Sequence, residues 1–154
     1  MGVIAFTKVA LPYGWFGNMA PFPLVWDEKT WRTSEALFQA RRLGPGDPGR
    51  EEIRAEKSPM GAKMASKRSA DRRVVVPLSE NDILLMEDVL RLKLEQHPHL
   101  RGELLATGDA TIIEDCTSRP RGTGLFWGAA KQPDGSWKGE NVLGKLWMKL
   151  RAEV

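Results

Sequence analysis

Apolar residues near the carboxyl end of the chain recur at helical spacing, and this repeat constrains the fold more than any other feature. Four large side chains separated by three or four positions define one face of a helix. They are Leu143, Leu146, Trp147 and Leu150. Asn141 precedes them as a candidate N-cap. Gly144 lies inside the repeat, where glycine costs about 1 kcal/mol relative to alanine. We therefore expect either another helix, which we favour, or a ligand to approach the Gly144 backbone closely.

Similar patterns elsewhere predict further helices and a few short strands. The predicted helices span 33–43, 49–56, a segment capped by Ser58, 79–97 and 98–108, and the predicted strands or extended segments span 3–7, 22–32 and 110–115. A glycine-rich loop, 117–139, leads into the last helix. A chain of 154 residues is of ordinary size for one domain. The expected fold is α+β, mainly α-helical with small β elements, in a single domain over 1–154.

Composition excludes several classes of protein. A hydrophobic content of 42% is too high for a disordered chain, and no apolar run approaches the roughly 20 residues of a membrane span. The amino terminus lacks the pattern of a secretory signal. Cys116 is the single cysteine, which rules out an intramolecular disulfide and suits a cytoplasmic protein. One cysteine with His97 and His99 cannot form a Cys/His zinc cage. We also expect no other metal and no organic cofactor.

The positive charge is clustered. The net charge is +3, and the segments KMASKRSADRR and SRPRG hold many of the basic residues. Such clusters are typical of solvated surfaces, and they also suit a nucleic-acid or phosphate partner.

A carboxylate at the start of the predicted helix 33–43 is the first candidate for a functional side chain. Glu35 follows the Thr33 N-cap in the first turn, and Gln39 and Arg42 continue the same helix face. The aromatic run YGWFGNMAPFPLVW comes just before it. The helix dipole stabilises an acidic residue in the first turn by roughly 0.3–1 kcal/mol, so position alone favours a structural role.

Other polar side chains are predicted near helix starts or aromatic residues. They are Asn18, Asp109, Glu114 and Asn141. Trp127 lies between two glycine-rich segments, where an indole is either part of the core or a platform for a planar base. The general motifs for phosphate loops, dinucleotide binding, metalloproteases and serine hydrolases are missing.

The order of five segments resembles that of the NADAR, or YbiA-like, family. YGWFGNMAPFPL is similar to its aromatic FSNF segment, and WRTSEALFQARRL to its T-(S/V)-E-H-x-x-Q-A-x-K helix. KSPMGAKMASK resembles S-P-x-x-A-x-x-x-G-R, and LRLKLEQHPHLRGELLATGDATIIE resembles K-F-x-Q-N…L-L-x-T-G-x…L-x-E. FWG followed by GENVLGKLWMKLR is similar to the closing W-G…G-x-N-x-L-G-x-x-L-M-x-x-R. The resemblance runs from about Phe6 to Arg151 with near-constant spacing.

This resemblance implies N-glycosidase chemistry. Some members cleave phosphoribosylamino-type intermediates of riboflavin synthesis. Others remove ADP-ribose from the guanine amino group in nucleic acids, as antitoxins to DarT-type ADP-ribosyltransferases. Cleavage of either substrate builds positive charge on the ribose. Glu35 matches the family's motif glutamate and is expected to carry or steer the acid/base work, ionised by the helix dipole. Ala36 stands where the family usually has histidine.

Lys8 is the second catalytic candidate. We expect it to be partly desolvated among Phe6, Trp15 and Phe16, and to attack the anomeric carbon as a neutral amine. The product of that attack would be a Schiff-base-type intermediate. A lysine at a strand edge without catalytic role is the alternative interpretation.

The loop before FWG departs from the family's pattern. Gly124 and Ala129 stand where the family often has aspartate, and the longer loop carries Arg119 and Arg121. The predicted pocket therefore has fewer acidic groups and a basic rim, which favours a polyanionic, nucleic-acid-linked substrate.

The resemblance therefore predicts a hydrolase of ADP-ribosylated guanine in nucleic acid, with DNA as the first choice. The residues expected to shape the ribose and base pocket are Asn18, Gly108, Asp109, Trp127 and Asn141, and those expected to contact phosphate are Lys63, Lys67, Lys145 and Arg151. The expected partners are ADP-ribosylated nucleic acid or ADP-ribose, and a cognate ADP-ribosyltransferase toxin. A glycosidase of riboflavin intermediates and a module that binds ADP-ribose without cleaving it remain the alternatives.

Overall fold

A computed structural model describes residues 2–154. The helices are α1 (Ser34–Arg41), α2 (Pro48–Ala55), α3 (Pro59–Lys67), α4 (Glu80–Gln96), α5 (Pro98–Ala106), α6 (Gly124–Trp127) and α7 (Val142–Glu153). The strands are β1 (Val3–Phe6), β2 (Leu24–Trp26), β3 (Lys29–Trp31), β4 (Thr111–Glu114), β5 (Ala130–Lys131) and β6 (Trp137–Lys138). The prediction of a mainly helical chain with small β elements is confirmed.

The chain forms two compact units. One combines the residues up to Gly17 with His97–Val154, and the other is Asn18–Gln96. The prediction of a single domain over 1–154 stays a prediction. No helix within residues 2–154 is long and apolar enough to cross a bilayer.

The Asn18–Gln96 unit is built around α1. This helix packs against α2, α3 and α4, and β2 and β3 form an antiparallel hairpin before it. Thr33 is the N-cap, as predicted, because its Oγ1 accepts a hydrogen bond from the Ala36 amide at 3.1 Å. The unit's buried apolar side chains include Leu24, Trp31, Leu37, Phe38, Leu43, Ile53, Met86, Val89, Leu90 and Leu94.

The other unit contains a parallel pair of strands, β1 and β4, in register from Val3 opposite Thr111 to Phe6 opposite Glu114. Parallel strands end at the same edge, so the residues that follow β1 and those that follow β4 start from one place. Helix α7 packs on β4. Trp147 anchors this helix, since its Nε1 donates to the Phe16 carbonyl at 3.0 Å and its ring meets the Phe16 ring edge-on.

One expectation for the last helix is right only in part, and another is wrong. Asn141 is the N-cap residue, but its backbone is left-handed, with φ of 51°, and its carboxamide bonds to β4 instead of to the first amides of the helix. The element that approaches Gly144 is also β4 rather than a helix, because a Cβ on Gly144 would lie 2.1 Å from the Ile112 carbonyl oxygen. The glycine therefore lets the helix meet the strand backbone directly.

The region predicted as a loop, 117–139, contains three short elements. Helix α6 lies within it, and β5 pairs with β6 in a small hairpin. Each is two to four residues long, which is too short for apolar periodicity to reveal.

Candidate active site

Glu35 is held in place at the start of α1 by the backbone of Asn18. The Glu35 amide donates to the Asn18 carbonyl at 3.0 Å, and the Ser34 hydroxyl donates to the same carbonyl at 3.1 Å. The Ser34 hydroxyl also lies 2.9 Å from Asn18 Oδ1, while Asn18 Nδ2 donates to the Met86 sulfur at 3.3 Å. The structure thus brings Asn18 and Glu35 together, with the Asn18 carboxamide occupied by α1 and α4.

The Glu35 carboxyl group is buried, with 8% of the residue's surface exposed. Burial raises the pKa of Glu35 above its usual range and outweighs three effects that lower it. These are a hydrogen bond from Gln39 and the positive charges of Lys63 and Arg42. Loss of water around the carboxylate is therefore the largest influence on this pKa, and it opposes the ionised state that the sequence predicts.

A hydrogen-bonded chain of buried side chains continues from Glu35 along α1. Gln39 Nε2 donates to Glu35 Oε1 at 3.1 Å, and Arg42 Nη1 lies 3.4 Å from Gln39 Oε1. The guanidinium fixes which end of the Gln39 amide faces Glu35, since only the oxygen can accept from arginine. Gln39 can therefore only donate to the carboxyl group.

Asp82 on α4 holds the far end of this chain. Its two oxygens accept from Arg42 Nε at 2.9 Å and Arg42 Nη2 at 2.6 Å, in the bidentate geometry that suits guanidinium and carboxylate. Asp82 is fully buried and also accepts from the Leu78 amide at 2.8 Å. The four side chains from Glu35 to Asp82 form one buried polar network.

Lys63 and Lys67 lie on α3, which packs against α1. Lys63 is half-buried and close enough to Glu35 for its charge to lower the carboxyl pKa. Lys67 is exposed one turn further along. Lys63 is thus placed beside the candidate acid, whereas Lys67 is on the adjoining surface.

Asn141 and Trp127 lie near the carboxyl end of β4. Asn141 Oδ1 accepts from the Glu114 amide at 3.0 Å, and Asn141 Nδ2 donates to the Ile112 carbonyl at 2.8 Å. The Asn141 amide also donates to the carbonyl of Gly128, the residue after Trp127. Trp127 is half-buried, with its ring edge-on to Phe126. The Asn141 side chain therefore fixes the β4 backbone at this edge, and the Asn141 backbone amide holds the residue after Trp127 beside it.

Gly108, Asp109 and Arg151 are grouped at the opposite end of β4. Gly108 and Asp109 are exposed in the turn before the strand. Arg151 Nη1 donates to Thr107 Oγ1 at 3.0 Å and to the Ala110 carbonyl at 2.8 Å. Arg151 therefore holds this turn in place.

Lys8 and Lys145 are both exposed. Lys8 follows β1 at the edge where Trp127 and Asn141 lie, but Phe6 and Phe16 are buried in the core and do not cover it. The expectation that aromatic neighbours desolvate Lys8 is wrong, because those rings pack on Trp147 and on each other.

Two residues of interest were missed in the sequence. Asp82 lies in the first turn of α4, where its amide donates to the Ser79 hydroxyl, and its carboxylate pairs with Arg42 from another helix region. Lys93 is fully buried on α4, where burial lowers its pKa to about 7 and the Phe22 ring centroid lies 5.2 Å from its Nζ. Its spacing of seven from Met86, on the apolar stripe, is the signal that could have identified it.

Comparisons with known proteins identify the family of the chain. The profile of the NADAR domain matches residues 5–154. N-glycosidase YbiA of Escherichia coli K12 is 39% identical over 157 residues, which cover 99% of this chain and 88% of that protein. The chloroplastic riboflavin biosynthesis protein PYRR of Zea mays is 28% identical over 165 residues, covering 99% of this chain and 25% of that protein.

The NMR structure of E. coli YbiA superimposes with a TM-score of 0.76 at 38% sequence identity, covering 99% of this chain and 84% of that one. Sequence and fold agree over nearly the whole chain. This chain is therefore a member of the NADAR family of N-glycosidases.

Proposed function

We propose that the protein hydrolyses the bond between ribose and the guanine amino group in ADP-ribosylated nucleic acid, with DNA as the first substrate to test. The observation that carries this proposal is the buried Glu35 carboxyl group with its raised pKa, next to the positive charge of Lys63. A carboxyl group that keeps its proton nearer neutral pH is suited to protonate a leaving amine.

Glu35 acts first as the general acid. Its proton passes to the guanine amino nitrogen as the bond from that nitrogen to the ribose anomeric carbon breaks. The carboxylate that remains stabilises the positive charge on the ribose ring. Water then adds to the anomeric carbon and returns a proton to Glu35, so the products are ADP-ribose and unmodified guanine.

The other candidate residues have supporting roles in this proposal. Lys63, Lys67 and Lys145 are cations available to phosphate groups, and Arg151 is a weaker candidate because its guanidinium already binds Thr107 and Ala110. Trp127 offers a ring for the base. Asn18 positions the start of α1, and Asn141 positions the backbone of β4. Gly108 and Asp109 lie in an exposed turn. A DarT-type ADP-ribosyltransferase is the proposed source of the modification.

Local charge favours a nucleic-acid substrate. Residues 57–73 contain six basic residues and one acidic residue, a net charge of +5, whereas the whole chain carries only +3. A polyanion makes more phosphate contacts with such a segment than a small nucleotide does, and its binding affinity is raised more. A phosphoribosylamino intermediate of riboflavin synthesis is the second candidate, and the name of the maize relative favours it.

A comparison of substrates tests the proposal. Purified protein is incubated with DNA that carries ADP-ribose on guanine and, separately, with the phosphoribosylamino intermediate, and the released products are quantified. Faster release of ADP-ribose supports the proposal, and faster cleavage of the intermediate supports the second candidate. Binding of ADP-ribose without release of either product would identify a binding module.

Exposure of Lys8 argues for direct attack by water over a covalent route. We expect Lys8→Ala to retain turnover within about tenfold of the wild type, because an exposed lysine lacks the desolvation that activates an amine nucleophile. Borohydride added during turnover should trap no ribosyl adduct, as judged by mass spectrometry of the intact protein. A trapped adduct on Lys8, together with loss of activity in the variant, would establish the covalent route instead.

Arg119 and Arg121 are expected to contact the strand rather than the ribose. Both are exposed in the loop before α6. Replacing both with alanine should reduce the slope of log affinity against log salt for modified DNA, since each phosphate contact contributes about 0.7–0.9 to that slope. Free ADP-ribosyl-guanosine is the reference substrate, because it has no strand. A slope equal to that of the wild type would show that these arginines are ordinary loop charges.

A further inference from the structure

We propose that the exposed face of α3 binds a single nucleic-acid strand, with two lysines on its phosphates and two methionines against its bases. The face consists of Met60, Lys63, Met64 and Lys67, and this set is named the α3 strip. The inference rests on the proposed function, since it specifies the part of the substrate that extends beyond the ribose.

The four residues share one side of the helix. Their spacing of three, four and seven positions places them on a single face. Ala62, Ala65 and Ser66 are buried on the side that packs into the protein. The α3 strip is therefore a continuous surface.

The two methionines of the α3 strip are large apolar side chains that are exposed one turn apart. Met60 is 47% exposed and Met64, one turn later, is 51% exposed. Methionine is flexible, recurs at surfaces that bind varied partners, and makes favourable contacts between its sulfur and aromatic rings. Two such side chains in a row offer apolar contact to flat rings without selecting one base.

The lysines of the α3 strip supply positive charge for the phosphates of the strand. They are separated by about 6 Å along the helix axis, comparable with the spacing of successive phosphates in an extended strand. In the part of the chain that the structure describes, neither Lys63 nor Lys67 forms an ion pair within 4.0 Å. The nearby acids are few: Glu35 is buried beside Lys63, Glu56 lies 3.7 Å from Arg68, and Asp71 follows the helix.

Methionine and lysine alternate along the α3 strip, and this pattern fits a single strand better than a duplex. A duplex presents phosphates but keeps the faces of its bases stacked inside, where the methionines cannot reach them. The α3 strip includes Lys63, which lies close enough to Glu35 to influence its pKa, so a bound strand would pass close to the candidate acid. Enzymes that act on a base take it out of the stack or act on single strands.

Binding of an unmodified thymidine oligonucleotide of about 12 nucleotides tests the inference by fluorescence anisotropy across a salt series. Met60→Ser combined with Met64→Ser should weaken this binding about tenfold without changing the salt slope, because no charge is removed. Lys63→Ala combined with Lys67→Ala should weaken binding and lower the slope by about 1.4. The methionine pair should leave binding to duplex DNA of the same length unchanged.

Two matched controls show whether loss of any exposed charge or any exposed apolar side chain weakens binding. Lys131→Ala with Lys138→Ala removes two exposed charges elsewhere, and Leu84→Ser with Leu105→Ser removes two exposed apolar side chains elsewhere. Both controls should bind the oligonucleotide like the wild type. Circular dichroism of each variant confirms that it is folded.

Three results would contradict the inference that the α3 strip binds a nucleic-acid strand. They are wild-type affinity in both strip variants, equal losses in the controls, and thymidine monophosphate binding as tightly as the oligonucleotide, which would indicate a simple phosphate site. The probe is unmodified, so the assay does not depend on hydrolysis. A wild-type protein that binds the oligonucleotide through the α3 strip but releases no ADP-ribose from modified DNA would contradict the proposed function alone.

Discussion

Glu35→Gln is expected to lower turnover of ADP-ribosylated DNA at least about a hundredfold while leaving substrate binding in place. The loss corresponds to the low end for a positioned acid or base. Glutamine has nearly the same shape and can still accept the hydrogen bond from Gln39, but it cannot donate a proton to the leaving amine. Single-turnover kinetics measure the chemical step, and Glu103→Gln, at an exposed position on α5, is the matched control. Turnover near the wild-type rate would remove Glu35 from the mechanism.

The same variant should not lose stability. Because the folded-state pKa of Glu35 is raised, its contribution to stability is present below the unfolded-state pKa and is lost as pH rises through the folded-state value. Glutamine has no charge to bury, so Glu35→Gln should be at least as stable as the wild type at neutral pH, with a smaller difference in acid. Urea unfolding at several pH values tests this. A variant that is less stable at neutral pH would show that the carboxylate is well solvated or well paired.

The pH dependence of the wild-type rate should reflect the protonation of Glu35. A general acid works only while protonated, so the rate is expected to fall as pH rises through the raised pKa of Glu35. The residual rate of Glu35→Gln should lack this step. A step that persists in the variant would belong to another residue.

The local features of this protein could be predicted from its sequence, because they depend on neighbours along the chain. The Thr33 cap, the face shared by Glu35 and Gln39, and the apolar stripe of α7 follow from helical geometry. Family resemblance added the identity of Glu35 as the functional carboxylate, which stays a prediction until its variants are measured.

The features that could not be predicted depend on contacts between distant segments. The partner of Arg42 is Asp82, which is 40 positions away, and no periodicity relates them. The direction of the Asn141 side chain is determined by the β4 backbone, which also meets Gly144. Exposure of Lys8 depends on where the Phe6 and Phe16 rings pack. The raised pKa of Glu35 follows from burial, a tertiary property that outweighs the hydrogen bond from Gln39 on the same helix.

Asp82→Asn is expected to destabilise the protein by about 3–5 kcal/mol, the cost of leaving one member of a buried ion pair without its partner. Arg42 is 7% exposed and Asp82 is fully buried, so water cannot replace the lost carboxylate. Urea unfolding of wild type and variant measures the change. Glu51→Gln breaks the exposed pair with Arg54 and should change stability little, because solvent screens such pairs.

A double variant separates the stability of this pair from its effect on Glu35. Replacing Asp82 with leucine and Arg42 with methionine removes both charges, and such replacements are often neutral or stabilising, so most of the lost stability should return. Turnover should stay below the wild-type rate, because Gln39 then has no guanidinium to fix which end of its amide faces Glu35. A double variant with both wild-type stability and wild-type turnover would show that the pair serves the fold alone. Stability restored without activity would establish Arg42 and Asp82 as positioning residues for the candidate acid.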